Sequence, residues 1–223
     1  MKLQIADEHR EFFQNNKTIE FEDLLTKEEI ATLKAGLSKI FSSKNVLTQF
    51  EEGRDLWRKS STIQNIAFLR KLGETAFQLQ RQHPLRIGYD QYYPPLDQTP
   101  GLTPGKYQEF LKTPTTLQEA SSIHGLVCGA LITLEERESP SSENENILFP
   151  RKPGNVVFIH PEASINWPFL LNNESIGYYL ITYANSKSFY LKNNKDPNSG
   201  SFIQYGYSSG DRLTDKKNPI IFR

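Results

Sequence analysis

Several stretches hold side chains whose types and spacing suit chemistry. His124 and His160 each stand in an apolar run that reads as a strand, at 122–134 and 155–160. Imidazole is the commonest metal ligand. Two of them from separate strands, completed by the carboxylate of Glu109 or Glu162, would make an unorthodox metal centre. The run Tyr89, Asp90, Gln91, Tyr92, Tyr93 sets one charge among aromatic rings, as a pocket wall does. Tyr107 and Glu109 follow a Pro/Gly loop, and Asn166 with Trp167 sits in a turn-rich stretch. Each has a plainer reading. A lone strand histidine is commonly a satisfied core or rim residue, and alternate tyrosines of a strand simply pack. Trp167 reads as core by the same logic, and His9 and His83 read as helix-end residues.

Other chemistries find no support. There is no phosphate or dinucleotide loop. The single cysteine, Cys128, excludes zinc spacing and an intramolecular disulfide. It lies in an apolar run and reads as a buried, inert thiol. This suits a reducing compartment, and the expectation is a soluble, cytoplasmic chain. Lys and Arg number 26, as do Asp and Glu, so the net charge is zero. That argues against a nucleic-acid partner held by charge. The partner class left open is a small molecule or a protein.

The elements that must position these residues follow from pattern. Residues 6–15 read as a short helix and 17–21 as a short strand. Thr26 followed by Glu29 is a capping box, opening a helix to about Phe41 with Ile30, Leu33, Leu37, Ile40 and Phe41 on one stripe. One long helix is expected over 62–80, capped by Ser60 or Ser61, with Gly73 allowing close packing. Strands are expected at 85–93, 122–134, 147–149, 155–160, 177–184, 189–191, 202–207 and 220–222. Alternation puts Val156, Phe158 and His160 on one face and Val157 and Ile159 on the other. It likewise separates Tyr178, Leu180 and Thr182 from Tyr179, Ile181 and Tyr183. Helices first and strands later predict an α+β fold: one domain, with a helical part at 1–84 and a β-barrel part at 85–223.

Three stretches carry a resemblance. FFQNNKTIEFEDLLTKEEIATLKAGL, PLRIGYDQYYPP with ITLEE, and PGNVVFIHP together resemble the phytanoyl-CoA-dioxygenase-like branch of the Fe(II)/2-oxoglutarate oxygenases. The chain is also similar to a small chlamydial family of unknown function with that fold. The resemblance implies a cupin-like double-stranded β-helix, a jelly-roll barrel with N-terminal helices packed on one side. It also implies Fe(II) and 2-oxoglutarate as cofactors. Two His and one carboxylate would hold the iron on one face, and a late Arg or Lys would hold the co-substrate.

The residues depart from that pattern. Where His-x-Asp or His-x-Glu belongs, the chain reads Tyr107-Gln108-Glu109. His124 is followed by Gly125 and Leu126, with no carboxylate two positions on. Past His160-Pro161 come Glu162, Ala163, Ser164, Ile165 and Asn166, with no distal histidine. No Arg or Lys stands between Lys152 and Lys187. The expectation is therefore the oxygenase scaffold without its standard triad and anchor, acting as a binding or interaction protein or running a different reaction. The alternatives are an oxygenase with ligands drawn from His124, His160, Glu109 and Asp90, and a metal-linked regulatory protein.

Overall fold

The computed structural model describes residues 4–44, 46–95, 114–136, 149–167 and 176–223. Helix α1 (Asp7–Asn16) and strand β1 (Thr18–Phe21) open the chain. Helix α2 (Lys27–Phe41) begins at the expected capping box. Thr26 Oγ1 accepts from the Glu29 N–H at 3.2 Å, and Glu29 Oε2 accepts from the Thr26 N–H at 2.7 Å. Ile30, Leu33, Leu37 and Phe41 are its buried stripe.

The expected long helix over 62–80 is two helices: α4 (Ser61–Ala67), after α3 (Val46–Glu52), and α5 (Arg70–Gln80). Leu69 takes ψ 120°, outside the helical range, and turns the chain between them. The break has a packing cause. α4 lies against α2 and the single turn at Leu56–Arg58, whereas α5 lies against sheet strands and α1. One straight rod could not reach both sets of partners. Gly73 sits against Phe222: an added Cβ would meet the Phe222 Cβ at 3.6 Å, an ordinary van der Waals contact.

The strands are β2 (Leu85–Tyr93), β3 (Thr115–Thr116), β4 (Ile123–Thr133), β5 (Val156–Ile159), β6 (Ser164–Ile165), β7 (Tyr178–Tyr190) and β8 (Ile220–Phe222). The large antiparallel sheet runs β1-β5-β4-β7-β2-β8, and β3 pairs with β6 in a small second sheet. Together they make a curled, jelly-roll half-barrel beside the helices. β1, from the otherwise helical first third, joins this sheet on β5. β5 and β7 are not neighbours; β4 lies between them and pairs with both. Residues 202–207 depart from expectation. Ser199–Tyr205 is a 3₁₀ segment that lays Phe202 on Tyr190, ring centroids 5.3 Å apart.

Strand alternation divides the core as the pattern predicts. Val156, Phe158, Tyr179, Ile181 and Tyr183 join the helices in one apolar cluster. Val157, Ile159, Tyr178 and Leu180 face the other way, into the barrel, with Tyr89, Tyr93 and Trp167. Cys128 is fully buried on the helical side, and burial pushes its thiol well above the ordinary range. No helix among the described residues is long and apolar enough to cross a membrane.

The Pro153-Gly154 turn into β5 depends on its glycine. Gly154 has φ +104°, a Cβ there would stand 2.8 Å from the Leu25 carbonyl, and the Gly154 carbonyl accepts from the Leu25 N–H. Gly154→Ala should destabilise the fold by about 1–3 kcal/mol, read as a lower urea midpoint with an unchanged slope.

Candidate functional site

β2 and the bend before it supply the polar side chains at the centre of the molecule. Gly53–Asp55 runs alongside β2. The Tyr92 N–H donates to the Gly53 carbonyl, the Asp55 N–H donates to the Asp90 carbonyl, and Arg54 bridges Gln91 in antiparallel fashion. Side chains of adjoining residues point to opposite faces. Arg54 and Gln91 therefore enter the barrel side, and Asp55 and Asp90 the helical side.

On the barrel side, Arg54 is 4% exposed. Its guanidinium lies 3.8 Å from the Tyr89 ring centroid. Nε donates to Gln91 Oε1 at 2.9 Å and Nη2 to Asp196 Oδ1 at 2.8 Å. Asp196 also accepts from the Ser122 N–H at 2.9 Å and the Asn198 N–H at 3.0 Å. Burial opposes the Arg54 charge. Asp196, with Tyr89, Tyr93 and Asp55, outweighs that opposition and raises its pKa, so the group stays protonated. Tyr93 leans on Trp167, centroids 5.4 Å apart, and the Trp167 indole N–H donates to Thr115 Oγ1 at 3.0 Å.

On the helical side, Asp90 Oδ2 accepts from the Trp57 N–H at 2.9 Å and from the Tyr179 hydroxyl. Both Asp90 and Asp55 are fully buried. Burial, helped by the Asp55 charge, pushes Asp90 up to about 7, against the Tyr179 and Trp57 bonds. Burial pushes Asp55 up to about 6, against the attraction of Arg58 and Arg54.

The expected site residues divide accordingly. Tyr89 and Trp167 come together inside the barrel with Tyr93. Asp90 does not join them, because a register shift between Ile87 and Asp90 and the strand's alternation turn its carboxyl under the helices. Asn166 is exposed. Tyr107 and Glu109 lie outside the described residues.

The two histidines do not converge. His160 follows Phe158 on the helical face and packs edge-on against Phe13, centroids 5.8 Å apart. Its Nδ1 accepts from the Glu162 N–H at 3.2 Å. Burial and the nearby Lys17 lower its pKa, against Glu162, so it is neutral at pH 7. Glu162 is exposed and pairs with Lys17 at 3.1 Å. His124 adjoins Ile123, which faces the barrel cluster, and so turns away from the interior to stack on Phe189 at 5.1 Å. No group of three or more His, Cys, Asp or Glu among the described residues comes together as a metal site.

Sequence reasoning missed Arg54. It sought a cation on the late strands, whereas this one comes from the bend before α4. The only signal was a charged Arg54-Asp55 step beside Leu56 and Trp57, which reads as an ordinary surface loop.

Solved structures share this architecture. The epimerase SnoN of nogalamycin biosynthesis, a non-heme α-ketoglutarate-dependent enzyme, superposes with a TM-score of 0.65 at 12% identity, over 97% of this chain and 98% of that one. The carbocyclase SnoK of the same biosynthesis gives 0.64 at 14%, over 97% and 96%. CT296 from Chlamydia trachomatis gives 0.50 at 17%, over 82% and 97%. The chain therefore has the Fe(II)/2-oxoglutarate oxygenase fold, the cupin-like double-stranded β-helix. At these identities the likeness is one of fold. No family model matches the sequence, and no curated protein matches it.

Two predictions follow from the buried charges. In the fold, Asp55 and Asp90 keep protons that the unfolded chain releases near 3.8. The native state thus binds more protons between about pH 4 and 7, and stability falls as pH rises through that window. The urea midpoint should be higher at pH 5 than at pH 8, and Asp90→Asn should flatten the upper part of that slope. The exposed carboxylates whose pKa is lowered, such as Asp7 and Glu162, act below that window. Asp196→Ala leaves the Arg54 charge buried without its carboxylate and should cost about 3–5 kcal/mol, measured by urea unfolding.

Proposed function

We propose that this chain is a binding protein built on the oxygenase scaffold, and that it does not run the standard Fe(II)/2-oxoglutarate reaction. The observation that carries this reading is the orientation of His160. It stands where β5 leads toward the family's distal iron ligand, yet its ring is committed to Phe13 and the Glu162 N–H on the helical side. The donor set beyond it supports the same reading: Glu162, Ala163, Ser164, Ile165 and Asn166 include no second imidazole. Iron and 2-oxoglutarate do not fit the described side chains. A metal-dependent oxygenase using His124, His160 and Asp90 would need these three to converge. Asp90 and His160 are instead tied into the helical interface, and His124 stacks on Phe189.

The interior favours a ligand. Tyr89, Tyr93 and Trp167 gather in the barrel cluster as aromatic walls, and Arg54 supplies a fixed positive group among them. Small-molecule sites have this make-up: mostly apolar lining with a few placed polar groups.

The test is an anaerobic Fe(II) titration of purified protein with and without 2-oxoglutarate, followed by an assay for carbon dioxide release in air. The expected result is no stoichiometric iron binding and no decarboxylation. Iron-dependent carbon dioxide release from 2-oxoglutarate by the wild-type chain, lost in His160→Ala or His124→Ala, would overturn the proposal.

A further inference from the structure

The bend before α4 is fastened to β2 in two unlike ways, one on each side of the sheet. On the barrel side Arg54 stays protonated and is held by Gln91 and Asp196. Just before it, the Gly53 carbonyl accepts from the Tyr92 N–H at 2.9 Å. An added Cβ on Gly53 would stand 2.9 Å from the Tyr92 carbonyl, so the bend lies hard against the strand there. This end of the fastening does not titrate near neutrality.

The helical side is different, because residues 55–58 reach β2 through Asp90. The Asp55 N–H donates to the Asp90 carbonyl at 3.0 Å, and the Trp57 N–H donates to Asp90 Oδ2 at 2.9 Å. Asp55 itself takes φ 57°, left-handed backbone that a residue with a β-carbon adopts at a cost. Neither Asp55 carboxyl oxygen has a hydrogen-bond partner among the described residues, nor has Asp90 Oδ1, and all three are shut off from solvent. Arg58 Nε, equally unpartnered, stands 3.9 Å from Asp55 Oδ1, beyond hydrogen-bond reach. A dry carboxylate without hydrogen bonds is far costlier than a neutral carboxyl. The closed geometry therefore suits the protonated pair.

The groups facing the pair come from four elements. They are Arg54, Arg58 and Lys59 from the bend and its turn, Asp196 from the loop after β7, Tyr179 from β7, and Tyr205 from the 3₁₀ segment. The cations among them are committed elsewhere. Arg58 donates to the Lys217 carbonyl and to Asn218 Oδ1, and lies between the Trp57 and Tyr205 rings, 4.0 and 4.4 Å from their centroids. Lys59 Nζ donates to the Glu52 carbonyl at 2.7 Å. The Tyr179 hydroxyl donates to Asp90 Oδ2 only.

We propose that residues 55–58 form a pH-sensitive latch on β2, hinged at Arg54, closed while Asp55 and Asp90 are neutral and swung off Asp90 when they ionise. Opening lets water reach both carboxylates and relieves the left-handed backbone of Asp55. The direction follows from linkage: the closed form keeps protons that the open form releases, so opening is favoured as pH rises. Burial holds Asp55 at about 6 and Asp90 at about 7 when closed, against 3.8 when hydrated, so the change falls between about pH 4 and 7. The latch stands apart from the question of iron chemistry and from any ligand in the barrel.

The test is amide hydrogen exchange of the full chain by NMR at pH 5 and pH 8, each rate divided by that of an unstructured chain at the same pH. Protection of the Asp55 and Trp57 amides should fall about tenfold or more from pH 5 to pH 8. At pH 8 both should exchange faster than the Tyr92 amide on the other side of the hinge, by a route insensitive to low urea, as local openings are. Asp55→Asn accepts left-handed backbone, and Asp90→Asn keeps an acceptor for the Trp57 N–H. Each should shrink the fall, and the two together should abolish it. Protection at Asp55 and Trp57 that does not change with pH would overturn the latch. So would protection equal to that of Tyr92 and lost in urea along with it, or a fall that persists in a folded double variant.

Discussion

A guanidinium taken out of water must be met by charge and by hydrogen bonds from several directions at once. Arg54 meets that demand by drawing two remote pieces of chain to its own bend. Gln91 and Tyr89 come from β2, the second offering its ring face, and Asp196 comes from the loop after β7. Asp196 in turn accepts from the Ser122 N–H at the entrance to β4, so the same interaction fastens the end of the barrel. The next turn is tied to the same stretch after β7 by Arg58, which donates to Asn218 Oδ1 at 3.1 Å and lies over the Tyr205 ring.

The neighbouring residue plays the opposite part. Asp55 turns under the helices to face Asp90, and the pair places two carboxyl groups in one dry interface. Their mutual repulsion and burial favour protonated forms, while Tyr179, Trp57 and Arg58 limit the cost. One dipeptide, Arg54-Asp55, thus spans the sheet and sets a guanidinium on one face and a carboxyl on the other.

The likeness to non-heme α-ketoglutarate-dependent enzymes is one of fold. A jelly-roll barrel is held by apolar alternation along its strands, as Val157, Ile159, Tyr178 and Leu180 show on the inner face. Metal ligands contribute little to that alternation. They can therefore be replaced while the barrel persists, and function has to be argued from the site and not from the scaffold.

Much of the fold was legible in residue order. The Thr26–Glu29 box, the α2 stripe and the two faces of β5 and β7 all follow from local spacing, because capping and alternation are decided by neighbours within a few positions. The helix over 62–80 was misread for the complementary reason: its break at Leu69 is imposed by two different packing partners, which no local pattern contains. The 3₁₀ turn at Ser199–Tyr205 likewise reads as a strand, since Phe202, Tyr205 and Tyr207 have strand-like composition and only the packing of Phe202 and Tyr207 on Tyr190 decides otherwise. Of the candidate site, Tyr89 and Trp167 were found as aromatic residues of apolar strands and turns. That Asp90 turns away from them, that His124 and His160 stay apart, and that Arg54 enters the barrel were decided by register, by a bulge and by contacts over long sequence separations. The sequence by itself determined which residues alternate and which helices are capped. Only the tertiary structure decided which charges meet, because a buried charge is placed by partners far along the chain and not by its neighbours.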